Sequence, residues 1–103
     1  MSVSLLIKDM QNAEQRLVPV ATEAIFKSKW LSGAKELGLE WIELMETGFD
    51  VTPENRADVL EELGRLREWM ERRGDSYELG RLERLVAELV AIRFELGATA
   101  FIG

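Results

Sequence analysis

Carboxylates are the only side chains in this sequence numerous enough to do chemistry. The 103 residues include 19 Asp and Glu but no His and no Cys. Without imidazole there is no Ser-His triad, no side chain that titrates near neutrality unaided, and no use of the commonest metal ligand. Without thiols there is no disulfide, thiolate nucleophile or Cys-based zinc or iron–sulfur site. The Ser and Thr hydroxyls have no base partner and read as caps. Glu36, Glu40, Glu43 and Glu46 recur at three- and four-residue spacing. Such a row can hold Mg²⁺ when a second acidic pair faces it across a helix bundle. Glu54 and Asp58 are four apart rather than three, and the row lies opposite the apolar face that would line a bundle interior. A magnesium-dependent helical nucleotide hydrolase is therefore the weaker reading. The expectation is a protein that is not an enzyme and uses no metal or cofactor.

The carboxylates are concentrated. Residues 1–35 carry five basic and three acidic side chains, a net +2. Residues 36–62 carry nine acids against one Arg, a net −8, and residues 63–103 are neutral, so the chain's −6 arises in its middle. Glu36, Glu40 and Glu43 project from one side of a helical segment with Leu39 beside them. Asp50, Glu54, Asp58, Glu61 and Glu62 continue the field, and Asp58, Glu62 and Trp69 share one flank of the next helix. Like charges at three and four spacing destabilise a helix by a few tenths of a kcal/mol per pair. One reading is a solvated acidic face that keeps the protein soluble. The other is a docking surface for a basic partner, with Glu36, Leu39, Glu40, Glu43, Asp50, Asp58, Glu62 and Trp69 as the contacting residues. A surface of this sign repels phosphate backbones, so nucleic acid is not the expected partner.

Two residue types invite other chemistry. Arg93 interrupts an apolar stripe between Ile92 and Phe94. Its head either reaches solvent or last-turn carbonyls, or binds an anion from a buried position. Trp30 and Trp41 fall on a core stripe and read as packing rather than ligand stacking, while Trp69 is borderline.

The elements that must position these groups read as helical. Val3, Leu6, Met10, Ala13 and Leu17 step by threes and fours, predicting a helix over 2–18 that Pro19 stops. Phe26, Trp30, Ala34, Leu37, Trp41 and Leu44 predict a helix over 22–47 that tolerates Gly33 and Gly38 inside it. Thr52-Pro53-Glu54 opens a helix over 53–73, closed by Gly74. Asp75 and Glu78 open another over 76–96, closed by Gly97. No period-two stretch stands out. The expected fold is all-α, a three- or four-helix antiparallel bundle forming a single domain over 1–103, with an apolar tail at 98–103. Its composition, 47% apolar and 31% charged, is that of a globular domain. The N-terminus lacks a signal peptide's basic start and apolar run, and no stretch approaches a membrane span, so the expected compartment is the cytoplasm.

The order Trp41-Ile42-Glu43-Leu44-Met45, Thr52-Pro53-Glu54-Asn55-Arg56, Leu63-Gly64, Asp75, then Glu78-Leu79 and Leu82 resembles the small all-helical cytoplasmic immunity proteins of bacteria. These protect against NAD-degrading and related nucleotide-modifying toxins delivered by type VI secretion. The likeness covers about the last 60 residues and rests on pattern rather than on a rigid motif. It implies a non-enzymatic protein that plugs or covers the active site of a cognate toxin; the acidic surface adds that this cleft is basic, and monomer and homodimer both stay open. It assigns no individual contact. The alternative is a dimeric chaperone or adaptor for a secreted or phage protein.

Overall fold

The N-terminal segment pairs as strands, which overturns the all-α bundle. The computed structural model describes residues 2–9 and 14–103. Strand β1 (Ser2–Asp9) and strand β2 (Glu14–Thr22) form an antiparallel pair in place of the predicted helix over 2–18. Met10 and Ala13, which the helical reading put on its stripe, lie outside the described residues. The alternation was present: Val3, Leu5 and Ile7 are buried, while Ser4, Leu6 and Lys8 point the other way. Two of those three inward residues are β-branched, a type that favours a pleated surface. Pro19 does not end a helix. It sits on edge strand β2 opposite Ser4, beside the bulge that shifts the register after Val3, a position where its missing amide hydrogen costs no ladder bond.

After β2 the chain turns helical. Thr22 Oγ1 accepts the Ile25 amide hydrogen, and α1 (Glu23–Ile25) runs into a π-helical turn (Phe26–Trp30) and then α2 (Leu31–Leu37). The predicted helix over 22–47 does not continue. Gly38 adopts the left-handed conformation (φ 72°), and the Leu39 amide reaches back to the Ala34 carbonyl at 2.8 Å, a Schellman closure. Helix α3 (Glu40–Leu44) restarts on a new axis, followed by the short strand β3 (Phe49–Val51). Thr52 and Asn55 then bond reciprocally, each side-chain oxygen accepting the other's amide, and α4 (Arg56–Arg72) begins three residues later than predicted. It ends in a left-handed Gly74, as the sequence indicated. Helix α5 (Ser76–Ala91) stops five residues short of the predicted 96, and a 3₁₀ turn (Phe94–Leu96) leads into β4 (Thr99–Ile102). The apolar tail is therefore a strand.

The sheet order is β2-β1-β4-β3, antiparallel throughout. Its inner face (Val3, Leu5, Ile7, Val18, Val20, Val51, Ala100, Ile102) joins the apolar sides of the helices in one core that includes Phe26, Trp30, Ile42, Leu63, Leu66, Leu82, Leu85 and Leu89. Each fully buried Leu or Ile contributes about 1.5–3 kcal/mol relative to exposure. The architecture is two-layered, with helices on one face of the sheet and solvent on the other. Among the described residues no helix is long and apolar enough to cross a membrane.

Candidate functional site

Four of the eight predicted partner contacts form the seam between α2–α3 and α4. Leu39 is 0% exposed, since the left-handed Gly38 resets the helical phase and turns it from the polar face into the core. Trp69 is buried, packs closely over Gly33 of α2, and donates its indole N–H to Glu36. Arg73 lies over the Trp69 ring, 4.2 Å from guanidinium carbon to centroid. Glu62 Oε1 accepts the Trp41 amide at 2.8 Å and the Ile42 amide at 3.1 Å, so a carboxylate on α4 caps the start of α3. Arg65 donates to the Leu37 carbonyl at the end of α2. Burial pushes the Glu62 carboxyl above the ordinary carboxylate range. The two amides oppose that shift, and the charges of Glu40 and Glu61 add to it. Leu39 and Trp69 are thus corrected from docking contacts to core residues, and Glu36 and Glu62 have partners inside the fold.

The remaining four, Glu40, Glu43, Asp50 and Asp58, are exposed. So are Glu46, Glu54 and Glu61. Among the described residues none of these seven carboxylates is ion-paired, although the chain forms six salt bridges elsewhere. They also do not gather: among the described residues no group of three or more acidic side chains is placed to hold a metal ion. The Mg²⁺ reading therefore lacks the convergence it requires. Asp50 stands apart from the rest, on the outer face of the sheet in register with Phe101. Leu44, read from its spacing as a core residue, is 45% exposed on α3 directly after Glu43. The break at Gly38 that buries Leu39 also exposes Leu44, so only the break itself could have signalled it.

Elsewhere the polar groups serve the fold. Glu78 turns inward rather than closing a capping box, and accepts the Trp30 indole N–H at 2.7 Å in the core. The Asp75 side chain makes no capping bond and pairs with Lys29 instead. Arg93 is exposed beyond the end of α5 and pairs with Glu95, so it is no buried anion site. The carbonyls at that helix end, Leu89 and Ile92, are taken by Arg56. A cleft of about 130 Å³ lies between β1, β2 and the end of α5, with Arg16 and Glu88 paired in its wall at 2.7 Å. It falls below the roughly 300–1,000 Å³ usual for ligand pockets, whereas shallower hollows of about 380 Å³ beside Trp69 and Arg73 and about 540 Å³ beside Pro53 and Phe94 fall within it. Compared with protein-family models, curated proteins and solved structures, the chain gives no match.

Proposed function

We propose that the chain is a cytoplasmic immunity protein that binds and blocks a cognate bacterial toxin through the acidic surface of α3 and the start of α4. The reading rests on one observation: Glu40, Glu43, Glu46, Asp58 and Glu61 are exposed and none is ion-paired among the described residues. Unpaired like charges on adjacent elements raise the folded state's electrostatic energy, and a basic partner relieves that cost. The field also steers encounter, by tenfold or more in rate at low salt. Leu44 offers the desolvated contact that Leu39 and Trp69 cannot, because it stands exposed among the carboxylates. The sequence likeness supplies the toxin class, enzymes acting on NAD or related nucleotides, whose clefts for anionic substrates are basic. The fold itself departs from the all-helical proteins that the sequence resembles, so the electrostatic argument carries the reading.

The test is growth. The product of the gene immediately upstream is expressed alone and together with this chain. The expected result is toxicity that the wild-type chain relieves and that a Glu40→Lys/Glu43→Lys/Asp58→Lys variant, folded by circular dichroism, does not. A harmless upstream product, or full protection by the triple variant, would overturn the reading.

A further inference from the structure

The outer face of the sheet is almost free of charge in a chain where 31% of residues are charged. Alternation along the strands and the pairing register place Ser2, Ser4, Leu6 and Lys8 of β1, Gln15, Leu17 and Pro19 of β2, Thr99 and Phe101 of β4, and Asp50 of β3 on it. Among the described residues no helix covers this side. Leu17, Leu6, Phe101 and Asp50 form one register row across all four strands. Leu17 is 65% and Phe101 42% exposed. The Phe101 ring rests against Gly48 and Gly103, at distances where a Cβ on either glycine would collide with it, so this anchor is held in place before any partner arrives. Lys8 and Asp50 line one hollow beside Leu6 and Phe101, and neither forms an ion pair among the described residues.

We propose that this face is the interface of a homodimer, with a second copy of the chain as its occupant. The charge pattern selects that occupant. The rest of the surface carries the −6 excess and favours a basic partner, whereas this face carries one cation and one anion and is self-complementary. A two-fold axis lying in the face, between Leu6 and Phe101, sets Leu6 against Phe101 of the other copy. The same axis sets Lys8 of each copy over Thr99 of the other, diagonally next to its Asp50 and within a long side chain's reach, as an isologous contact requires. Strands of eight, nine, four and three residues, at about 3.3 Å per residue and about 4.8 Å apart, give on the order of 400 Å² in plan. With side-chain relief that approaches the roughly 600 Å² per partner at the low end of specific interfaces, the size of a weak, concentration-dependent dimer. Edge pairing does not compete, since β3 has three residues and β2 carries Pro19 and a bulge. The proposal is independent of the toxin-binding reading, which uses the helical side.

Sedimentation velocity and light scattering, from micromolar to millimolar chain, test it. The expected species has twice the 11.7 kDa mass. Phe101→Glu and Leu17→Lys should each raise the dimer Kd by about thirtyfold or more, the effect of losing a hot-spot side chain. Circular dichroism should show both variants folded. Lys8→Asp should also weaken the dimer, and Lys8→Asp/Asp50→Lys should restore it. A chain monomeric throughout, a dimer indifferent to Phe101→Glu and Leu17→Lys, or a charge reversal that fails to restore association would each overturn the proposal. If the two exposed-residue variants fail to fold, the paired reversal alone decides.

Discussion

Replacing Gly33 by Ala should destabilise the protein, while the same replacement at Gly64 or Gly80 should stabilise it. All three glycines lie inside helices, where Ala is favoured by about 0.8–1.0 kcal/mol. At Gly64 and Gly80 an added Cβ meets nothing within 4 Å, so that gain should appear nearly whole. At Gly33 the added Cβ would lie 2.6 Å from Leu66 Cδ1, 2.8 Å from Trp69 Cε3 and 3.0 Å from Trp69 Cδ2. The leucine tip can turn aside. The indole cannot move freely, because its N–H is bound to Glu36 and its face to Arg73. Overpacking of this kind costs about 1–3 kcal/mol. Set against the propensity gain, Gly33→Ala should lose about 1 kcal/mol and differ from Gly64→Ala by about 2 kcal/mol. Urea unfolding followed by Trp fluorescence gives both values, with unchanged m confirming that only stability moved. Thermal midpoints should separate in the same order, by about 4–8 °C per kcal/mol. A Gly33→Ala variant at least as stable as the parent would refute the claim that α2 and α4 touch through this glycine.

Other substitutions test the remaining polar contacts. Trp30→Phe removes the indole N–H and part of the ring, strands the buried Glu78 side chain, and should cost at least about 1–3 kcal/mol in urea unfolding; Glu78→Gln, which keeps an acceptor, should cost less. Glu62→Ala removes the cap on α3 and should cost about 1 kcal/mol, with loss of protection of the Trp41 and Ile42 amides in hydrogen exchange. Glu62→Gln retains the acceptor but not the charge. The folded protein raises the Glu62 carboxyl, so the stability it contributes is complete below the ordinary carboxylate range and is lost as pH rises through the raised value. The stability of Glu62→Gln relative to the parent should therefore climb across that window, and a difference independent of pH would contradict the assignment. Arg56→Ala should weaken the tie between the start of α4 and the end of α5, lowering the midpoint and loosening exchange at Ile92 and Phe94.

Much of the second half was legible because its signals are local. Gly74 follows Arg72 and Arg73, Thr52 and Pro53 precede α4, and the stripe Val59, Leu63, Leu66, Met70 is buried as its spacing required. The N-terminal hairpin was misread because Val3, Leu6 and Leu17 fit a helical step as well as Val3, Leu5 and Ile7 fit an alternating one. An apolar run this short cannot decide between the two periods. What decides is pairing, with the neighbouring β2 along the whole strand and with β4 nearly a hundred residues away in sequence, and no pattern within β1 alone carries that. The candidate site shows the same limit. Glu40, Glu43 and Asp58 were legible as exposed acids from charge density alone. Leu39 and Leu44 exchanged places because one left-handed residue, Gly38, resets the phase of everything after it. Trp69 and Glu62 were placed on the correct flank of α4, but that flank meets α2 and α3 rather than a partner.

The central claim is that the unpaired carboxylates of α3 and α4 guide a basic protein partner onto this chain. Its most direct test is the association rate with the toxin found by the growth assay, measured by stopped flow from low to moderate ionic strength. The account predicts a rate that falls steeply as salt rises, over the range where the Debye length shrinks to about 10 Å. It also predicts that Glu40→Lys/Glu43→Lys/Asp58→Lys slows association at least about tenfold at low salt. A rate indifferent to both salt and the triple substitution would contradict it.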